Sequence, residues 1–147
     1  MLVRIFRAVF LAIVLLGVSQ TASSQTVRVS VGVNNLGVEN FIEAYEYNCC
    51  TEKPCFPGGY AKFIEFINSN RQYPREAYQK GIRGTVTCQF IVHPDGTVSN
   101  VSLVRKANEL LNEEAIRVFN LMPRWIPGRV DGVAVPVRVI ESIKFRR

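Results

Sequence analysis

The stretch from Gly84 to Arg105 limits the possible folds more than any other part of this chain. Val86, Cys88, Phe90 and Val92 alternate with Thr85, Thr87 and Gln89. A period of two is the pattern of a strand with one buried face. Pro94-Asp95-Gly96 supplies a tight turn, with glycine where the backbone wants positive φ. Val98 to Arg105 then returns as an antiparallel partner, with Val101 and Leu103 towards the core. An isolated hairpin is barely stable in water, so the rest of the chain must extend it and cover its apolar face.

The covering elements follow directly. Leu111, Ala115, Val118 and Met122 share one face of a helix, and Asn108 or Asn112 can cap it. Glu113 and Glu114 favour its positive end, and Pro123 stops it. Trp125-Ile126-Pro127-Gly128 makes a corner that buries the only tryptophan against helix and sheet. The last strand runs from about Val133 to Phe145, with Val133, Val135, Val137, Val139, Ile143 and Phe145 inward. Ala134, Pro136, Arg138, Ile140, Ser142 and Lys144 face away.

Strand, helix, strand is a crossover, which makes the second and third of these strands parallel to each other. With the hairpin antiparallel, the expectation is an α+β fold. Its sheet is three-stranded and antiparallel, in the order 2-1-3, with two main helices on one face. The last strand then lies at an edge, where Pro136 is tolerated.

Upstream, Pro57-Gly58-Gly59 opens a helix whose stripe is Tyr60, Phe63, Phe66 and Ile67. Tyr73-Pro74 starts a second, short one holding Ala77 and Tyr78, and Gly81 suits its end. Val27, Val29, Val31 and Val33 alternate as a strand, which Asn34-Asn35 breaks, and Phe41 to Tyr47 reads as a helical turn or two.

The first residues have the form of an export signal. Arg4 and Arg7 precede the apolar run Ala8 to Val18, and Ala22-Ser23-Ser24 fits a signal-peptidase site. That run is shorter than the roughly 20 residues of a membrane span, so residues 1–24 are expected to be cleaved, or kept as a short anchor. Removing them takes two arginines and no acid, and the formal charge falls from +6 to +4. This excess is too small and scattered to point to nucleic acid.

Export makes the cysteines disulfide candidates. Cys49, Cys50 and Cys55 cluster in one loop, where a bridge from Cys55 to Cys49 or Cys50 would contribute about 2 kcal/mol. Cys88 lies on the apolar side of its strand as a small hydrophobe. His93, the only histidine, is distant in sequence, so metal and other cofactors have no visible ligand set. No acid/base pair, nucleophile triad or phosphate loop is visible either, and nothing marks the chain as an enzyme.

The motifs taken together resemble the carboxy-terminal domain of the TonB family. They are Phe56-Pro57-Gly58-Gly59, Tyr73-Pro74 with Ala77, Gly81-Ile82-x-Gly84, Asp95-Gly96 and Leu111-x-x-Glu114-Ala115. Met122-Pro123-x-Trp125-x-Pro127-Gly128, Gly132 and Ile143-x-Phe145 complete them. The resemblance covers residues 56–147, after a leader of 25–55 with its cysteine loop. It implies a periplasmic domain that docks on TonB-dependent outer-membrane receptors, whose extended TonB-box segment adds to the last strand. By position, the docking residues are Arg138, Ile140, Ser142 and Lys144, with Tyr73 and Pro74 beside them. Inner-membrane motor proteins are partners if the leader is retained, and a homodimer could use the same edge. The long Pro-rich spacer of family transducers is missing from this sequence. Two other readings stand beside docking: a structural or adaptor component of an envelope assembly, and a redox module built on the clustered cysteines. Docking requires the outer main chain of the last strand to be unpaired.

Overall fold

The structure, a computed structural model, describes residues 26–33, 37 and 39–146. The expected export signal and the Asn34-Asn35 break lie outside these residues. Among them the strands are β1 (Thr26–Val33), β2 (Glu39–Glu46), β3 (Gly84–Val92), β4 (Val98–Arg105), β5 (Arg129–Val130), β6 (Val133–Ala134) and β7 (Val137–Phe145). The helices are α1 (Tyr60–Asn70), α2 (Arg75–Gln79) and α3 (Glu109–Asn120), and a 3₁₀ turn spans Tyr47–Cys49.

The main sheet has five strands, not the expected three, in the order β1-β2-β7-β3-β4. Within it, β3 pairs antiparallel with both β4 and β7, through the alternation around Pro94-Asp95-Gly96 and the α3 crossover. The correction comes from the leader. Phe41 to Tyr47, expected as a helical turn or two, lies almost entirely in β2, which pairs antiparallel with β1 and parallel with β7. The sheet is therefore mixed, and β7 is not an edge strand along its whole length. The last strand is also shorter than expected. Val133 and Ala134 belong to a small hairpin with Arg129 and Val130, turned by Asp131 and Gly132, and Val133 is exposed rather than inward.

Each face of the sheet has its own core. On one, Phe63 and Ile67 of α1 and Leu111, Ala115, Val118 and Phe119 of α3 pack on Val86, Cys88, Phe90, Val137, Val139, Ile143 and Phe145. Tyr60, expected in the α1 stripe, is 65% exposed. On the other, Val29 and Ala44 bury Ile91, with Val27 and Ile42 against them. This second core explains why the leader becomes a hairpin. Ile91 stands on the otherwise polar side of β3 and would lie bare without it.

Asn108 caps α3, its side chain accepting the Leu110 N–H at 3.1 Å. Asn112 is buried and accepts the Ala107 N–H at 2.8 Å instead.

The β3–β4 turn is locked to the corner after α3. The Trp125 N–H donates to the Gly96 carbonyl at 2.8 Å, and Gly96 has φ of 84°. A Cβ on Gly96 would come within 2.2 Å of the Trp125 carbonyl oxygen. Gly96→Ala is therefore expected to lower stability by about 2–5 kcal/mol, from left-handed strain plus overpacking. Urea denaturation of the two proteins measures this.

Candidate docking edge

β3 covers one side of β7 along all nine residues of the strand. On the other side β2 contributes only the pairs Tyr45↔Val137 and Glu46↔Arg138. The Tyr45 N–H donates to the Pro136 carbonyl at 2.8 Å. Main-chain groups alternate sides along a strand, so Arg138, Ile140, Ser142 and Lys144 also turn theirs outward. Beyond Arg138 no described strand pairs with that side. The run that no described strand pairs is thus Ile140, Ser142 and Lys144, although the Glu141 carboxyl takes the Ser142 N–H and the Arg71 guanidinium takes the Lys144 carbonyl.

β2 stops where it does because the chain is pulled away. After the 3₁₀ turn, Glu52 exchanges two main-chain hydrogen bonds with Arg129, at 3.1 and 2.8 Å. Cys55 does the same with Ile126, at 3.0 and 2.8 Å. The segment is stitched to the Trp125 corner and cannot follow β7 further.

The expected site residues therefore divide. Arg138 is engaged within the fold, with its guanidinium 2.5 Å from Glu46 and 3.2 Å from the Gln89 amide oxygen. Ile140 is 46% exposed. The Ser142 hydroxyl pairs with that of Thr87 at 2.8 Å, on the face away from the helices. Tyr73 stands at the Phe145 end of β7. Its ring meets Phe145 and Tyr78 edge-on, and its hydroxyl donates to the Ile82 carbonyl. Pro74, half-buried, precedes the first turn of α2.

The loop carrying Arg71 and Tyr73 is held from α3. Buried Glu114 accepts the Gln72 N–H at 2.6 Å and two bonds from Arg117 at 2.8 Å, and Arg117 also donates to the Asn70 carbonyl at 2.7 Å. Burial alone would raise the Glu114 carboxyl. The Arg117 and Gln72 hydrogen bonds outweigh it and hold the group below the usual carboxylate value.

On the helix side, a cavity of about 70 Å³ adjoins β7, bounded by Tyr47, Tyr60, Phe63, Trp125, Val139 and Glu141. Glu141 occupies the inward register of β7 between buried Val139 and Ile143. Burial pushes its carboxyl up, with the Ser142 main chain partly offsetting. The inward row named from the sequence passes over this position. A lone acid in an otherwise apolar row was its available signal. Tyr47 and Tyr60 had none, because their placement follows from the stitching of residues 52–55.

The cysteines correct another expectation. Cys49, Cys50, Cys55 and Cys88 are all free, so the disulfide is not formed. The Cys50 thiol is buried and donates to the Glu46 carbonyl at 3.7 Å, while the Cys55 thiol points to the Phe56 carbonyl at 3.3 Å. Cys88 lies in the core, where burial pushes its thiol up to about 11. Among the described residues, no group of three or more His, Cys, Asp or Glu is placed to hold a metal. Nor is any described helix long and apolar enough to cross a membrane.

The fold and edge define an α+β domain whose last strand is covered on its outer side only at one end, by its own leader. Residues 69–146 match the family described as Gram-negative bacterial TonB protein C-terminal, and the chain belongs to that family. Protein TonB from each of two Helicobacter pylori strains is 27% identical over 79 residues, 53% of this chain. The chain spans 28% of the length of those relatives. A solution NMR structure of Helicobacter pylori TonB-CTD is 25% identical, covers 62% of this chain and 86% of that one, and has a TM-score of 0.46. A second structure of the same domain covers 58% and 90%, at 25% identity and a TM-score of 0.45.

Two outcomes are expected here. The low Glu114 carboxyl gives stability that is present above its unfolded value near pH ~4.3 and fades as pH falls through the lower folded value. Glu114→Gln should therefore cost about 1–3 kcal/mol at pH 7 and little at pH 2, by urea denaturation at both. Native thiol labelling should modify Cys49 and Cys55 first, with Cys50 and Cys88 reacting only on unfolding.

Proposed function

We propose that this domain docks extended segments of outer-membrane receptors by strand addition along the free run of β7, in the periplasm. Family membership supports a TonB-like role in TonB-dependent transport. The observation that carries the finer reading is the outward main chain of Ile140, Ser142 and Lys144, which no described strand pairs. β-Strand addition needs such an edge, and main-chain bonds then accept almost any extended chain.

On this reading residues 56–147 are the docking domain, and residues 39–55 of the leader frame one end of its edge. Arg138 helps hold that frame, while Tyr73 and Pro74 border the other end through Arg71. A visiting strand would also meet Tyr60, exposed on α1 beside the cavity that adjoins Glu141. At about 0.5–1.5 kcal/mol net per hydrogen bond, the few open groups give modest affinity. That suits engagement and release. If residues 1–24 are retained, motor proteins of the inner membrane become further partners. Pairing of two β7 edges into a homodimer would compete with receptor segments and is separable by light scattering.

The test combines NMR titration with one substitution. Receptor segments containing a TonB box are expected to shift the amides of Ile140, Ser142 and Lys144 and leave β4 unmoved. Ile140→Pro removes an outward N–H, as Pro136 does two turns of the pleat earlier, and spares the ladder to β3. It should weaken binding roughly fivefold, the worth of about 1 kcal/mol, with melting little changed. If no segment moves these amides, or if Ile140→Pro binds as well as wild type, strand addition here is wrong.

A further inference from the structure

The cavity beside Glu141 lies at the middle of the free run, on the side where a docked segment places every second side chain. Cross-strand neighbours share a face, with Cβ atoms about 4.5–5.5 Å apart. The residue of a visiting strand opposite Glu141 therefore points to the helix side, into the space that Glu141, Tyr47 and Tyr60 enclose. Tyr47 and Tyr60 are 38% and 65% exposed, so their rings stand as walls rather than core. Glu141 forms no ion pair among the described residues. Lys53 already sits over the Tyr47 ring, 5.1 Å from its centroid, which shows that this wall accepts a cation.

We propose that this notch is a specificity subsite for one basic side chain, lysine or arginine, of the docked segment. Its carboxylate is Glu141 and its cation-binding walls are Tyr47 and Tyr60. The inference rests on the docking reading and adds which residue the edge selects. Main-chain bonding cannot tell sequences apart, so selectivity must come from side-chain sites such as this one. Charge complementarity decides the occupant. A half-buried carboxylate without a counter-ion favours a cation, penalises an acid, and gains less from an aliphatic group. Size agrees. The cavity, of about 70 Å³, has room for a basic head group, and the aliphatic stem would lie along the tyrosine rings.

The test uses the full chain and three synthetic decapeptides of alternating threonine and valine, with lysine, norleucine or glutamate at one central position. Isothermal titration gives the three affinities, and NMR locates each peptide. The lysine peptide is expected to bind roughly fivefold tighter than norleucine, the upper end for one ion pair open to solvent, with glutamate weakest. In Glu141→Gln the lysine-to-norleucine ratio should fall to about one. In Tyr60→Ala it should fall by less. Peptides that shift Ile140, Ser142 and Lys144 without a lysine preference, or with a preference that survives Glu141→Gln, overturn the subsite and leave docking intact. If none of the three shifts those amides, docking and subsite fall together.

Discussion

The packing of Trp125 is the constraint on which the rest of the molecule depends. Its ring meets Phe56, Phe63 and Phe90 at centroid distances of 5.7, 5.7 and 5.3 Å, each edge-on or nearly so. Three separate parts of the chain converge there: the segment after β2, α1 and the centre of β3. Such contacts add about 0.5–1.5 kcal/mol per pair beyond the area they bury. Their greater effect is geometric. Trp125 is also tied through its main chain to Gly96, and its neighbours Ile126 and Arg129 to Cys55 and Glu52. The walls at the β2 end of the outer side of β7 hang from this corner, while the Arg71–Tyr73 loop at the other end is held from α3 through Glu114 and Arg117.

That corner also decides how β7 is shared. Pro136 has no N–H to offer a neighbour, yet its carbonyl accepts Tyr45, so the parallel ladder with β2 begins at its very start. Two residues later the stitching of Glu52 and Cys55 takes the chain away. What remains of the β2–β7 contact is short, supported by the Arg138–Glu46 pair, whose side chains are 26% and 31% exposed. Both side chains are part-buried, and the Arg138 Nε is left without a hydrogen-bond partner, so the pair is an incomplete anchor. The hairpin is better anchored through Val29 and Ala44 over Ile91, a contact on the other face of the sheet. The two anchors are independent. Together they hold β2 against one end of β7 without extending along it.

Much of this was legible from residue types. The alternation of Val86, Cys88, Phe90 and Val92, the Asp95-Gly96 turn, the α3 stripe and the Trp125 corner each state a local structure that the packing then agrees with. The leader was not legible in the same way. Phe41 to Tyr47 carries too weak an alternation to separate a strand from a helical turn, and only Ile91, apolar on a polar face, hinted that something must cover β3 there. The candidate site shows the same limit. Outward Ile140, Ser142 and Lys144 follow from strand parity alone. That Arg138 is spoken for, or that Tyr47 comes beside Glu141, depends on contacts across ninety or so positions of sequence, which no local pattern encodes. The clustered cysteines are the opposite case: proximity in sequence suggested a bond, but Cys50 and Cys55 turn their thiols to different carbonyls.

An open edge is also a hazard, since it accepts other copies of the chain as readily as a partner. Several features keep this one short. β2 closes it at Arg138, Arg71 occupies the Lys144 carbonyl, and Lys144 itself places a charge at the exposed end. The Lys144 end of the run gathers Arg71, Lys144 and Arg146, a set of like charges with no acid among those residues. An arriving segment with an acid at that end and a base beside Glu141 meets the opposite situation at both places. The devices that guard the edge against self-association therefore also bias which foreign strand it takes. Protection and selectivity here share the same few charges, and a substitution that weakens one should be examined for its effect on the other.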